Sequence, residues 1–387
     1  MSDVGNFGQR PFAHTPPTGY RSLCSKTLAT PAPAGVVNPR RHFECLTYTG
    51  DGAASGRKVT GLEFQPDFVW IKNRTQSYDH HLYDSIRGVG NYLESNDTTV
   101  ETNGTHMDGF LTNGFSVGNG VSSQRTNANS IPYVAWCWKA GGAAVSNSDG
   151  TITSSVSANT EAGFSIVSYT GNETNDATVG HGLGKSPDMV IIKDRVSNSA
   201  GNNWYVFHSS LASGHYLKLN QMSATAAVSG TSNGGVGSVT STTFNFIQGT
   251  SGNNKNVNEN GDTFIAYCFA SIPGYSKFGS YTGNGSTDGT YVHLGFKPAF
   301  IITKQTNSAG SWFIFDNKRN GSNETEPYSM TNANNLEATD LGWDFLSHGF
   351  KHRNSYSATN GSNNTFIYMA FAEQPSGTMF GLDANAR

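Results

Sequence analysis

The chain contains three copies of one ordered set of sequence motifs, and this internal repeat constrains its fold more than any other feature. Each copy begins with Tyr-Thr-Gly, continues with a segment that runs from a proline to a lysine six residues later, and closes with an aromatic segment. The proline follows the tyrosine by 17 or 18 residues in every copy. The motifs occupy residues 48–50, 66–72 and 134–138, then 169–171, 187–193 and 265–269, then 281–283, 298–304 and 368–371.

The spacing of the motifs defines a set of recurring positions that we expect to form a core. These positions are Tyr48, Gly50, Pro66, Lys72 and Cys137 in the first copy, Tyr169, Gly171, Pro187, Lys193 and Cys268 in the second, and Tyr281, Gly283, Pro298, Lys304 and Ala370 in the third. Each motif has the residue alternation or short apolar run of a β-strand. Asn-Gly pairs between the motifs indicate tight turns.

The composition favours the same fold class. Only 14% of the residues are charged and 45 are glycine, so the mixture that builds long helices is missing. We predict an all-β protein of three tandem β-sandwich modules, of jelly-roll or concanavalin-like type. The predicted modules span residues 41–142, 162–273 and 274–387, and these ranges are called repeats 1, 2 and 3 below. Residues 1–40 are predicted to be an extended arm, and residues 143–161 a linker.

The repeat also explains three of the four cysteines. Cys137 and Cys268 share one position with Ala370, and Cys45 shares another with Ile166 and Phe278. Positions that accept both cysteine and apolar residues are core positions, so we expect buried thiols there. The role of Cys24, in the arm, stays open.

Charge and hydropathy exclude several classes of function. A net charge of −3 and a pI near 6.4 argue against nucleic-acid binding, which needs a basic face. No apolar stretch approaches the roughly 20 residues of a membrane span. The first residues lack the pattern of a signal peptide, which predicts synthesis in the cytoplasm without export.

Catalytic motifs and metal-ligand patterns are weak. Acidic candidates exist, but none recurs as the carboxylate pair that a glycosidase requires, so solvated loop carboxylates are the favoured interpretation. We expect no catalytic residues, no metal site and no cofactor, since His80-His81 and the pair His348 and His352 bring no third ligand. The acidic candidates are Asp84, Glu94, Glu101 and Asp108 in repeat 1 and Asp316 and Glu337 in repeat 3.

Aromatic side chains offer one possible binding residue. Trp70, Trp136, Trp138 and Trp312 recur at strand periodicity, which favours a core role. Trp343 lies in a segment special to repeat 3 and is the candidate for stacking on a sugar.

The three repeats resemble an uncharacterised domain that recurs in virion proteins of tailed phages, notably cyanophages. The motifs that carry this resemblance are Tyr-Thr-Gly, Pro-Asp-x-Val-x-Ile-Lys and Ala-(Trp/Tyr)-Cys-(Trp/Phe), over roughly residues 43–377. Residues 5–12, with Pro16-Pro17-Thr18-Gly19-Tyr20, are similar to the closing segment of the SPRY-type, concanavalin-like domains of phage proteins. The resemblance implies a location in the virion.

These observations predict a structural protein rather than an enzyme. The favoured function is a tail fibre or an attachment component, held by its arm to other virion proteins and in possible contact with a host surface glycan. We expect a homo-oligomer, with a trimer as the guess. The alternatives are a capsid decoration protein and a carbohydrate-active enzyme that degrades the host envelope.

Overall fold

The computed structural model describes residues 38–118, 125–196, 202–228, 234–252, 254–320 and 322–373. Nearly all of their regular structure is β-strand, which confirms the predicted all-β class. Residues 1–37, which include Cys24 and most of the predicted arm, lie outside the described residues. Within the described part of the chain, no helix has the length and apolar character needed to cross a membrane.

The regular elements follow the three repeats. After a 3-10 turn at Pro39–Arg41, repeat 1 contains β1 (Phe43–Thr49), β2 (Arg57–Thr60), β3 (Phe68–Asn73), β4 (His81–Asp84), β5 (Asn91–Tyr92), β6 (Thr102–Asn103), β7 (Met107–Leu111), β8 (Gly114–Val117) and β9 (Pro132–Trp138). Next come β10 (Val145–Asn147), β11 (Ser154–Asn159), β12 (Phe164–Thr170), β13 (Thr178–Gly180), β14 (Met189–Asp194), β15 (Tyr205–His208), β16 (His215–Lys218), β17 (Ala226–Ala227), β18 (Gly235–Val239), β19 (Thr243–Ile247), α1 (Lys255–Asn258) and β20 (Thr263–Phe269). Repeat 3 contains β21 (Ser276–Thr282), β22 (Tyr291–His293), β23 (Pro298–Gln305), β24 (Trp312–Asp316), β25 (Tyr328–Met330), β26 (Trp343–Leu346), β27 (Gly349–His352), α2 (Ser357–Asn360) and β28 (Thr365–Ala372).

Each repeat contributes one large antiparallel sheet, called its inner sheet, and one three-stranded sheet, called its outer sheet. The inner sheets have the strand orders β1-β9-β3-β4, β10-β11-β12-β20-β14-β15-β16-β17 and β21-β28-β23-β24-β25. The outer sheets have the orders β2-β8-β7, β13-β19-β18 and β22-β27-β26. In every inner sheet, the strand of the Tyr-Thr-Gly motif and the strand of the Pro-to-Lys motif flank the closing aromatic strand.

The prediction of a linker at residues 143–161 is wrong. This segment forms β10 and β11, which extend the inner sheet of repeat 2 beyond β12. The cause is visible in the sequence, since Val156 alternates with small polar residues and its side chain enters the core between the two sheets.

Between its two sheets, each repeat buries a separate apolar core. Cys137, Cys268 and Ala370 occupy the same position in these three cores, as the repeat predicted. Their neighbours in the sequence point to the opposite face of the strand, because side chains alternate along it.

A fourth core is shared by all three repeats and is built on those opposite faces. It contains Phe43, Trp136 and Trp138 of repeat 1 together with equivalent residues of the other two repeats. Trp138, Phe269 and Phe371 hold the same position in their repeats, and each of their rings contacts the other two, with centroids 5.8–6.5 Å apart. Three equivalent side chains in mutual contact mark the axis of a pseudo-threefold arrangement.

The three inner sheets therefore surround one axis and close into a ring. Phe43 of repeat 1 packs on Phe300 of repeat 3, at 5.3 Å. Phe68 of repeat 1 packs on Tyr267 of repeat 2, and Phe269 of repeat 2 packs on Phe278 of repeat 3. Because the largest core combines all three ranges, the division into three independent modules stays a prediction.

The shared core predicts that the body unfolds as one unit. Phe371→Ala removes a ring from the axis, so we expect a loss of about 3–5 kcal/mol in the free energy of unfolding. Urea titrations followed by tryptophan fluorescence and circular dichroism should show one shifted transition. The control Tyr291→Ala changes an exposed side chain and should shift stability by less than about 0.5 kcal/mol. Separate unfolding of repeat 3 would contradict the shared core.

Candidate functional site at the junctions between repeats

The hydroxyl group of the Tyr-Thr-Gly tyrosine ties the first strand of each repeat to a distant loop. In every repeat this hydroxyl donates to a backbone carbonyl that lies shortly before the closing strand. The bonds run from Tyr48 to Thr126, Tyr169 to Val257 and Tyr281 to Thr359, at 2.6–2.8 Å. The recurring tyrosine thus fixes the fold within its own repeat.

The glycine of the same motif is required by close packing. A Cβ atom on Gly50 would lie 2.1 Å from the carbonyl oxygen of Ala128, and one on Gly171 would lie 2.2 Å from that of Glu259. Gly283 is under the same constraint. Any side chain at these positions would collide with backbone, so the glycine has a structural role.

The recurring prolines and cysteines also lie where their roles are structural. Pro66 and Pro187 precede β3 and β14, and Pro298 opens β23. Burial raises the pKa of Cys268 to about 12 and the pKa of Cys45 and Cys137 well above the usual thiol range. The prediction of buried free thiols is confirmed for these three cysteines, which are therefore unreactive.

The three recurring lysines are fully buried, and their ammonium groups bind backbone carbonyl oxygens. Lys193 donates to the carbonyl of Thr98 in repeat 1 at 3.2 Å, and Lys304 donates to that of Met222 in repeat 2 at 3.3 Å. Lys72 donates to the carbonyl of Asn73 at 2.8 Å. Burial lowers the pKa of Lys193 to about 7 and of Lys72 and Lys304 to about 8. Two of these lysines thus link neighbouring repeats.

The ring nitrogen of one equivalent residue in each repeat donates across a junction. His80 and Trp204 directly precede β4 and β15, and Trp312 opens β24. Every one of the three donates to a carbonyl of the neighbouring repeat. The bonds run from His80 to Met330, Trp204 to Glu94 and Trp312 to Lys218, at 2.9–3.0 Å. The pattern is cyclic, since repeat 1 binds repeat 3, repeat 2 binds repeat 1 and repeat 3 binds repeat 2.

Two of the three junctions contain a buried aspartate and arginine three residues apart. Asp316 pairs with Arg319 and also accepts from the indole of Trp136 at 3.0 Å. Asp84 pairs with Arg87 and accepts from the hydroxyl of Tyr267 at 2.8 Å. At the equivalent position of repeat 2, His208 bonds to the carbonyl of Tyr368 at 3.2 Å.

Each of the same two junctions also contains a bidentate ion pair between an arginine and a glutamate. Arg74 binds Glu337 at 2.8 and 3.0 Å, and Arg195 binds Glu101 at 2.7 and 2.9 Å. At the third junction the equivalent residues are Thr306 and Thr225, joined by a backbone hydrogen bond of 2.9 Å. Four of the acidic residues weighed as catalytic candidates, Asp84, Glu101, Asp316 and Glu337, therefore lie in junction networks.

Two sets of recurring asparagines were not predicted from the sequence. One set accepts, through its side-chain oxygen, the backbone N–H of the residue that crosses each junction, and consists of Asn96, Asn220 and Asn332. The other donates to the first side chain after the Tyr-Thr-Gly motif, and consists of Asn127, Asn258 and Asn360. The first set is hidden because Asn96 and Asn220 follow His80 and Trp204 by 16 residues, whereas Asn332 follows Trp312 by 20. The second set has a regular signal that was overlooked, since each of its asparagines lies ten residues before Cys137, Cys268 or Ala370.

The structure contradicts the prediction that Trp343 stacks on a sugar. Its side chain is fully buried, and its ring stacks on Phe315 at 4.3 Å and Phe350 at 5.0 Å. A ring with both faces covered offers no platform for a sugar. His352 packs beside it at 4.2 Å and is also buried, while His348 is exposed, so these two histidines do not form a site together.

The clearest polar group apart from the junction ion pairs surrounds Glu94. Its carboxylate accepts from Arg125 and lies 3.5 Å from the Nε2 atom of His81, whose ring stacks on Tyr92. Burial raises the pKa of Glu94 to about 7. Such a carboxyl group has the pKa of an acid catalyst, but here the Arg125 guanidinium binds it.

A second acidic group lies in repeat 2. Carboxylate oxygens of Asp194, Glu259 and Asp262 lie within 4.8 Å of one another, a donor set of the kind that hard divalent cations bind. Lys255 lies 3.4 Å from Glu259 and offsets part of the negative charge.

The buried lysines predict that stability rises from pH 7 to pH 8.5. Their folded-state pKa values lie below the unfolded value of about 10.5, so the unfolded chain holds more protons in this range. We expect a gain of about 1–3 kcal/mol in the free energy of unfolding, measured by urea titration. Lys193→Met removes one such group and should reduce the slope with pH. An equal slope in the variant would contradict the assignment.

The buried His352 predicts that the free energy of unfolding decreases as the pH falls. Both of its ring nitrogens are buried without a hydrogen-bond partner, and burial lowers its pKa to about 3. A histidine held neutral stabilises the fold above pH 6.5, and this contribution is lost as the pH falls.

His352→Val, which copies Val117 of repeat 1, should raise stability at pH 7 by about 1 kcal/mol. The same variant should lose about 2 kcal/mol less than the natural chain between pH 7 and pH 5. Urea titrations at both pH values measure this, with exposed His348→Val as the control. A variant as acid-sensitive as the natural chain would refute it.

The comparisons with known proteins identify a family. No curated protein and no solved structure matches the chain. A family described as a domain of unknown function (DUF7483) matches residues 38–375, a range that includes the strands of all three repeats and every junction described above. The chain therefore belongs to the DUF7483 family.

Proposed function

We propose that this protein is a non-enzymatic structural component of a bacteriophage particle, specifically a tail fibre or a component that attaches one. The phage assignment rests on the resemblance of the repeated motifs to virion proteins. The observation that supports a structural role is that the recurring residues make their contacts within the chain. The tyrosines, glycines and lysines of the motifs all serve contacts within the chain, as do the junction aspartates and arginines.

The two ends of the folded body differ, which suits a component that is attached in one orientation. Residues 38 and 373 lie at one end of the axis, here called the arm end, where Phe43 packs on Phe371 at 4.9 Å. This end is rich in ion pairs, among them Arg40 with Glu44 and Lys297 with Glu373. The described part of the chain thus begins and ends at this end, which suits attachment to other virion proteins. The opposite end is then free to face outward.

The pseudo-threefold body bears on the oligomeric state. One chain already supplies three equivalent positions around an axis, so a threefold-symmetric neighbour can be met by a single copy. A homotrimer, the expectation for a fibre, remains a prediction that copy number tests.

The test is to locate the protein in intact particles by cryo-electron microscopy and to count its copies. We expect density on the tail or baseplate at a few copies per particle, with the arm end toward the particle. A regular array over the head would replace the fibre proposal with capsid decoration. Turnover of purified host polysaccharide by the isolated chain would replace it with an enzyme. Absence from the particle would reject the virion assignment.

A further inference from the structure

The end of the body opposite the arm end is formed by three equivalent segments that cross between repeats. These crossing segments are residues 96–101, 220–225 and 332–337. Each segment begins at Asn96, Asn220 or Asn332. The backbone N–H of its last residue donates to a carbonyl of the neighbouring repeat. The closing bonds are Glu101 to Arg195, Thr225 to Thr306 and Glu337 to Arg74, at 2.8–2.9 Å.

The crossing segments meet around the axis. Ser95, which precedes the first segment, donates to the carbonyl of Thr331 at 2.7 Å. Thr331, which precedes the third, donates to the carbonyl of Leu219 at 3.0 Å. Two of the buried lysines, Lys193 and Lys304, donate to backbone carbonyls of the first and second segments, those of Thr98 and Met222. The surface is thus held in place before any partner arrives, which lowers the entropy lost on binding.

The exposed side chains of the crossing segments are all uncharged. They are Thr98, Thr99, Met222, Ser223, Asn334, Asn335 and Leu336. The acidic residues of the segments face inward or are paired, since Glu101 and Glu337 bind arginines and Asp97 accepts from Thr99 at 2.9 Å. Met222 and Leu336 are 52% and 53% exposed, so apolar groups stand among hydroxyls and amides.

This chemistry selects among partners. An anionic polymer or a nucleic acid would require exposed arginine or lysine, which the crossing segments do not offer at their exposed positions. A membrane surface would require basic or aromatic anchors. A neutral sugar chain presents hydroxyl groups and apolar C–H faces, which match asparagine, serine and threonine beside methionine and leucine.

We infer that the crossing segments form a binding surface for a neutral polysaccharide, which lies over the axis and contacts more than one segment. The inference deepens the proposed function, because it names the chemistry by which the outward end would contact a host surface. Weak contacts from three segments add along one sugar chain, since the second and third form at high effective concentration.

The experiment measures binding of the purified full-length chain to immobilised bacterial polysaccharides, both neutral and anionic. We expect binding to at least one neutral polysaccharide and loss of about tenfold or more in affinity for Met222→Asp and for Leu336→Asp. Tyr291→Asp is the matched control, because Tyr291 is also exposed but lies on an outer sheet, and its affinity should stay within about twofold. Leu336→Ser supplies a second variant without a new charge, and thermal melts confirm that each variant folds.

Three results would overturn the inference. They are binding to anionic polysaccharides alone, no binding to any polysaccharide, and variants that bind as well as the natural chain. Binding to intact cells that survives periodate treatment but not protease treatment would assign the surface to a protein partner instead. Because the assay uses the isolated chain, its outcome is independent of where the protein lies in a particle, so failure here and failure of the virion proposal are distinguishable.

Discussion

The structure depends on one constraint, which is that both faces of each inner sheet are apolar. The strands β3, β14 and β23 are buried along their whole length, and the outer sheet of a repeat covers only one face. Leaving Trp138, Phe269 and Phe371 in water would cost roughly 10 kcal/mol, from about 150 Å² of apolar area for each ring. A typical protein has about that much stability in total. The repeats therefore bury these faces against one another.

The polar groups at the junctions determine how the repeats fit together. Burying an ion pair such as Asp316 with Arg319 gains little net free energy, because desolvation offsets the attraction. A misplaced junction, however, would leave these charges and the Lys193 ammonium buried without partners, which costs several kcal/mol. The apolar core thus favours closure of the ring, and the buried polar groups select one register for it.

Part of this arrangement follows from sequence. The motif spacing predicted the all-β class and the buried cysteines, because a residue that repeats at strand period needs no knowledge of its partners. The runs Val69-Trp70-Ile71 and Val190-Ile191-Ile192 are typical of inner strands, but a run does not reveal what covers each face of the sheet. The Asp-x-x-Arg motif was hidden because His208 and Leu211 replace it in repeat 2. Trp343 was misjudged because its segment matches none of the recurring motifs, whereas Trp343 opens the buried strand β26.

Fusion of three repeats in one chain permits what a homotrimer cannot. In a homotrimer every position on the axis is repeated three times, so any change at the surface is made in triplicate. Here the residue that follows the recurring asparagine by two positions is Thr98, Met222 or Asn334, while Asn96, Asn220 and Asn332 make the same bond in each repeat. The recurring asparagines bind in all three segments and buried lysines bind two of them, while the exposed residues differ. Because the residues that hold the segments are separate from those that make contacts, the exposed residues can change to fit an asymmetric partner without disturbing the fold.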